Sequence, residues 1–148
     1  MRNRTRSREY ALQMLYQLDV RGGDPRELAA EFWDERRTPP EVKTFAVQLF
    51  AGTVEHLSRI DPLIATHAEH WAMKRMAVID RNILRLGVFE LLHLEEVPPK
   101  VCINEAIELA KRFGDAESSK LINGILDTIH KTHGRTASQT ASQPAPPS

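Results

Sequence analysis

The sequence predicts an all-α protein. Apolar residues recur at three- and four-residue spacing almost throughout, no stretch sustains period-two alternation, and Gly or Pro pairs punctuate the pattern. At 148 residues with 41% hydrophobic content, the chain has the size of one domain and can bury a core. It has no run of about 18 apolar residues, and no apolar stretch with a cleavage site follows its Arg-rich N-terminus. Neither a membrane span nor a secretory leader is therefore expected, and the chain reads as cytoplasmic. The single cysteine, Cys102, lies in an apolar helical pattern and reads as a small buried hydrophobe.

The first helix is expected from about Arg6 to Val20, with Ala11, Met14, Leu15 and Leu18 on one stripe and Gly22-Gly23 ending it. Asp24-Pro25 opens the second: Asp24 caps free amides, Pro25 loses nothing at the first position, and Leu28, Phe32 and Trp33 face inward. After Pro39-Pro40, a long third helix carries Val42, Phe45, Ala46, Leu49, Phe50, Leu57 and Ile60 and ends near Arg59. Asp61-Pro62 repeats the cap signature for a short fourth helix with Leu63, Ile64, Ala68 and Trp71. A Met-rich link from Ala72 to Met76 follows.

The fifth helix, about Ala77 to Leu94, has few polar positions, the pattern of a helix surrounded by others. Pro98-Pro99 stops it. The sixth, about Lys100 to Phe113, shows an Ile103, Ala106, Ile107, Ala110 stripe before Gly114. Asp115 caps the seventh, where Leu121, Ile122, Ile125, Leu126 and Ile129 keep helical spacing to about Lys131. Asn123-Gly124 lacks flanking strands, so Gly124 is expected to be a close helix contact. From Thr132 the composition turns to Ala, Ser, Thr, Gln and Pro without periodicity, which predicts a disordered tail over 132–148.

The charge balance is uneven along the chain. Arg2, Arg4, Arg6 and Arg8 place four positive charges in the first eight residues, and the rest carries 16 basic groups against 20 acidic. A basic arm on a mildly acidic body suits a polyanionic partner met locally. In an extended segment the four guanidinium groups line one edge; wound as a helix they split into opposed pairs, Arg2 with Arg6 and Arg4 with Arg8. The extended form makes the better phosphate ladder and is the expectation for residues 1–8. The bland alternative is a solvated basic terminus. Gln13 and Tyr16 continue from the arm along the first helix, and an amide and an aromatic ring beside guanidinium groups suit unpaired bases.

His67 and His70 share a helix face but lack a third specified ligand, so no metal site is expected. No glycine-rich phosphate loop, nucleophile elbow or cysteine cluster appears, and neither catalysis nor a cofactor is expected. On the fifth helix Arg81, Arg85 and Glu90 read as ion-pairing or protein-interface groups rather than an acid and base pair.

The stretch VPPKVCINEAIELAKRFGDAESSKLINGILD, Val97 to Asp127, closely resembles the C-terminal signature of the NusB family of transcription antitermination factors. RSREYALQMLY, Arg6 to Tyr16, resembles that family's N-terminal Arg-rich segment, and DRNILRLGVFEL, Asp80 to Leu91, its central helix. The likeness implies seven helices in two packed three-helix subdomains over residues 1–131, without catalytic activity. It implies binding of single-stranded boxA RNA in ribosomal RNA leader transcripts jointly with NusE, a small-subunit ribosomal protein, within the antitermination complex of RNA polymerase. Onto this chain it carries Arg6, Arg8, Gln13 and Tyr16, together with Glu117, Lys120 and Asn123 of the C-terminal signature. Leu121, a further candidate for the RNA surface, stands where many members have phenylalanine, so its contact there would be apolar packing in place of base stacking. The competing reading is a protein-interaction or homodimerisation bundle in which Arg81, Arg85 and Glu90 carry the function and the arm is incidental.

Overall fold

The computed structural model describes residues 2–34, 36–68 and 73–133. Among the described residues the chain forms α1 (Arg2–Arg21), α2 (Pro25–Asp34), α3 (Pro40–Glu55), α4 (Leu57–His67), a 3-10 turn (Met73–Arg75), α5 (Val78–His93), α6 (Pro99–Phe113) and α7 (Ser118–His133), with no strand. The apolar stripes do what their spacing dictates. Ala11, Leu12, Met14 and Leu15 of α1 are buried, as are Leu28, Phe32 and Trp33 of α2, Val42, Phe45, Ala46, Leu49 and Phe50 of α3, Ala106 and Ala110 of α6, and Ile122, Ile125, Leu126 and Ile129 of α7, while Ile103, Ile107 and Leu121 are half-buried at the edge of their stripes. Helix α5 packs against α1, α3, α4, α6 and α7, and its Ile83, Leu84, Leu86, Val88, Phe89 and Leu91 are all buried. It is the post between an α1–α3 layer and the α4, α6 and α7 side, and Cys102 is buried beside it.

The helix ends follow local chemistry. Gly22 and Gly23 take φ of 74° and 95°, a left-handed turn that an L side chain rarely adopts, and Gly22 N–H donates to Leu18 O at 2.7 Å. The Asp24 carboxylate accepts from Arg26 N–H at 2.9 Å, capping α2. Asp115 Oδ1 accepts from Glu117 N–H at 2.9 Å ahead of α7, and Gly114 lets the chain pass close to Ser118.

Three expectations are corrected. The long third helix is two helices, broken at His56 (φ −105°, ψ 11°) instead of at Asp61-Pro62. His56 N–H is shared between Gly52 O and Thr53 O at 3.1 and 3.2 Å, its Nδ1 lies 2.9 Å from Gly52 O, and its ring sits 4.1 Å from that of His93. Packing on α5 thus turns the chain before Pro62, which falls inside α4, where it cannot donate to the carbonyl of exposed Ser58 one turn back. Asp61 is a partner of Arg85 and not a cap.

Gly124 is no helix contact: it is exposed, and a Cβ there meets nothing within 4 Å. The glycines that do mediate helix contact are Gly52, where a Cβ would fall into the Phe89 ring, and Gly87, where one would press on Leu126.

The arm is not extended but forms the first two turns of α1. Ser7 Oγ donates within 3.0 Å of Asn3 O and 2.8 Å of Val42 O, Thr5 Oγ1 donates to Glu105, and Arg8 reaches into the core. These tertiary anchors, with arginine's good helix propensity, favour the wound form. Helix α7 takes in Thr132 and His133; the remainder of the expected tail, like His70 and Trp71, lies outside the described residues.

Candidate nucleic-acid interface

The four arginines of the N-terminal segment have separate fates. Arg2 belongs to the first turn of α1, and its side chain lies outside the described residues. Arg4 is exposed, with its guanidinium carbon 3.9 Å from the centre of the Phe45 ring and Nη1 4.0 Å from Glu96 Oε2. Arg6 is exposed, and its Nη2 donates to Tyr10 Oη at 2.9 Å.

Arg8 departs from the expected ladder: it is 1% exposed. Its Nε donates to both Glu90 oxygens at 3.0 and 2.9 Å, Nη2 donates to Glu90 Oε1 at 2.8 Å, and Nη1 stands 3.4 Å from Glu105 Oε1. Burial lowers the Arg8 pKa but the two glutamates outweigh it, so the group ends above its ordinary value and stays charged. Burial pushes the Glu90 carboxyl above the usual glutamate range, with the Arg8 fork pulling against it. Arg4 and Arg8 share the Phe45 ring, as the helical pairing requires, but only Arg4 faces out. Arg8 is therefore a buried tie between α1, α5 and α6 and presents no charge to a ligand.

The expected interface trio is internal as well. Glu90 is the buried partner of Arg8. Arg81 Nε donates to Asp19 Oδ2 at 2.8 Å, Arg85 Nη1 donates to the same oxygen at 3.0 Å, and Asn82 Nδ2 donates to it at 2.9 Å. Arg85 also forks onto Asp61, with Nε to Oδ1 and Nη2 to Oδ2 both at 2.9 Å. Burial raises the Asp19 carboxyl, but its donors and the Arg85 and Arg81 charges outweigh burial and hold it below the ordinary aspartate value. The ion-pairing half of the sequence reading describes Arg81 and Arg85; the interface half is corrected, because these side chains fasten α5 to α1 and α4.

The remaining candidates cluster elsewhere. Gln13 is half-buried on α1, and Tyr16 is 41% exposed, a large fraction for a tyrosine in a helix that buries its other face. Glu117, Lys120 and Asn123 are exposed at the start of α7, with Leu121 half-buried beside them. Glu117, Lys120 and Leu121 line a cleft of about 480 Å³ closed on its other side by Arg75, Met76 and Asp80. Asp80, in the first turn of α5, is 6% exposed, and its Oδ1 has no hydrogen-bond partner among the described residues. Burial raises its carboxyl above the ordinary value; the Ser118 hydroxyl opposes this and the Asp115 charge adds to it.

Arg75 and Asp80 were not singled out from sequence. The signal for Asp80 was an acid at the head of an otherwise apolar helix, and for Arg75 a Lys74-Arg75 pair in the Met-rich link.

A helical body with cations on one end of α1 and an open charged cleft where α5 meets α7 defines a binding module that meets its partner through charged surfaces instead of an enclosed pocket. The chain belongs to the NusB family, whose model matches residues 5–131. It is 42% identical over 132 residues to the transcription antitermination protein NusB of Sorangium cellulosum, covering 89% of this chain and 94% of that one. With its counterpart from Koribacter versatilis it shares 45% identity over 127 residues, 85% of this chain and 87% of that one. The solved NusB structure from T. maritima superposes with a TM-score of 0.82 at 41% identity, covering 89% of this chain and 93% of that one. A NusB chain solved as antitermination factors NusB and NusE in complex with double-stranded RNA gives 0.80 at 32% identity, covering 90% and 99%. No helix among the described residues is long and apolar enough to cross a membrane.

Proposed function

We propose that this protein is a transcription antitermination factor that binds the boxA element of ribosomal RNA leader transcripts together with NusE and so helps RNA polymerase resist termination. Family membership across residues 5–131 carries this reading. The geometry supplies a division of labour. Arg4 and Arg6, exposed on α1, contact phosphates and set affinity; Lys120 does the same at the cleft. Tyr16 offers a ring to a base, Gln13 and Asn123 offer amide edges, Leu121 offers an apolar wall, and Glu117 accepts from base amino groups. Arg8 has no direct RNA role in this scheme; it fixes the helix on which Arg4 and Arg6 are presented.

The test is a titration of boxA RNA with and without NusE. NusE should tighten binding cooperatively, and the Arg4→Gln/Arg6→Gln variant should bind RNA about tenfold more weakly, with a salt slope shallower by about one, while keeping its helicity. Absence of RNA binding by the wild type with NusE present would reject the reading. An unchanged affinity and slope in the variant would remove the two arginines from it.

A further inference from the structure

A second cationic surface shares Arg6 with the expected arm and otherwise lies on residues that neither the arm nor the α5–α7 cleft includes. Its base is a triad of rings: Tyr10 of α1 meets Trp33 of α2 at 5.5 Å and 76°, Phe32 meets Trp33 at 4.9 Å and 89°, and Tyr10 meets Phe32 at 5.9 Å and 74°. Three cations from three parts of the chain sit on these rings. The Arg6 guanidinium carbon lies 5.7 Å from the Tyr10 ring centre, that of Arg36 3.8 Å from Phe32, and Lys43 Nζ 5.8 Å from Trp33.

Each of the three is exposed, and none is within ion-pair distance of a carboxylate among the described residues. Arg36 is further fixed by its Nη1 donating to Phe32 O at 2.6 Å. Arg37, also exposed, adds a fourth charge. Of the acids in the same segments, Glu9 is engaged by Arg112 Nη1 at 2.7 Å and Glu41 by Asn3 Nδ2 at 3.1 Å, Asp34 stands exposed at the end of α2, and Glu35, next to Arg36 in the chain, lies outside the described residues.

Elsewhere on α1 and α5, Arg4, Arg8, Arg21, Arg81 and Arg85 lie within ion-pair distance of carboxylates. Here the cations are held in place by ring faces and a backbone carbonyl, which orient a guanidinium without neutralising it. Phe32 and Trp33 are themselves buried, so their faces are not open to bases. A surface with pre-positioned charge and no free stacking platform or paired amide edges recognises phosphates and not sequence.

We propose that Arg6, Arg36, Arg37 and Lys43 form a sequence-independent track for the sugar-phosphate backbone of single-stranded RNA flanking the specifically read element. The inference rests on the RNA-binding reading above. It extends the RNA path from α1 onto the α2–α3 connection, with Arg6 at the junction.

The test compares two RNAs on the full-length protein: the boxA element alone and the same element extended by about 10 uridines on each side, within the span that one single-strand-binding fold covers. The wild type should bind the extended RNA about tenfold tighter than the element alone near 0.1 M salt. The Arg36→Gln/Arg37→Gln/Lys43→Gln variant, with Arg6 kept, should lose that advantage, its salt slope on extended RNA falling by about two, and should bind the short RNA as the wild type does. A variant that keeps both the advantage and the slope overturns the proposal. Equal weakening on both RNAs also overturns it, since the surface would then belong to the core site.

If the variant keeps its RNA advantage but loses NusE, the surface is a protein interface and the proposal fails. Because Arg36 packs on Phe32, the Arg37→Gln/Lys43→Gln variant is measured alongside and should lose part of the advantage with unchanged thermal stability. Wild-type binding to neither RNA rejects the RNA-binding reading itself, and this proposal with it. Retained binding to the short RNA without an extension advantage rejects only the track.

Discussion

Two charged clusters join α1 to α5, one toward each end of this antiparallel pair, and they differ in how much water reaches them. At one end Arg8 and Glu90 are sealed, with side chains 2% and 3% exposed. At the other, Asp19, Arg81 and Arg85 keep 14–16% of theirs. Both clusters give a carboxylate several donors, yet Glu90 is displaced upward and Asp19 downward. In the dry cluster the loss of hydration outweighs the donors; in the wetter one the donors prevail. Hydration, more than the partner count, sets the sign.

The largest expected effect breaks the dry cluster. Arg8→Met strands Glu90 in the core and should cost about 3–5 kcal/mol in urea unfolding, whereas adding Glu90→Met should recover most of it, because a buried pair replaced whole by apolar groups is close to neutral. A double variant as unstable as the single one would show that the pair contributes more than mutual compensation.

Next comes Asp19→Asn, which leaves Arg85 its fork on Asp61 and should cost about 1–3 kcal/mol at neutral pH. Because folding lowers the Asp19 pKa, its contribution is present above the unfolded value near 3.8 and is lost as pH falls through the lower folded value. Glu90, raised by folding, behaves oppositely: it favours the fold below about 4.5, and that contribution is lost as pH rises through the folded value. Carboxyl NMR titration should find the two on opposite sides of their ordinary values. Displacement in the same direction would contradict the hydration argument.

The smallest effect concerns Asp80, buried with an orphaned oxygen and with no guanidinium within ion-pair distance among the described residues. Asp80→Asn should stabilise by about 1 kcal/mol or less at neutral pH, partly offset by the lost attraction between a carboxylate and the start of α5. The gain should vanish below the unfolded value near 3.8, where both states of the wild type are protonated. Melting curves at neutral and acidic pH check it.

Much of the fold was legible because it rests on periodicity. The stripes of α1, α2, α6 and α7 and the stops at Gly22-Gly23, Pro39-Pro40 and Pro98-Pro99 are local properties of the chain. The misplaced α3 break was not local: Asp61-Pro62 has the chemistry of a cap, and only the rings of Phe89 and His93 on α5 turn the chain at His56. The arm failed for a related reason. Four arginines alternating with small polar residues look like a ladder, and nothing within eight residues reveals that Glu90, 82 positions away, takes Arg8 inside. The grouping of Glu117, Lys120 and Leu121 was recoverable because they are near neighbours in sequence at the head of α7. Arg75 and Asp80 across the cleft were not, since they meet that segment only in three dimensions. Tyr10, Phe32 and Trp33 likewise carry no sequence signal that they form one platform for charges from α1 and the α2–α3 connection.

Gly52 and Gly124 have opposite consequences for how this chain can vary. At Gly124 any side chain projects into open space, so substitution there meets only the modest resistance of helix propensity. At Gly52 even a methyl group displaces the Phe89 ring and, with it, the seam where α3 lies against α5. Positions 52 and 89 are therefore coupled through one hydrogen atom: a larger residue at 52 requires the Phe89 ring to yield, and a smaller residue at 89 would open the room for it.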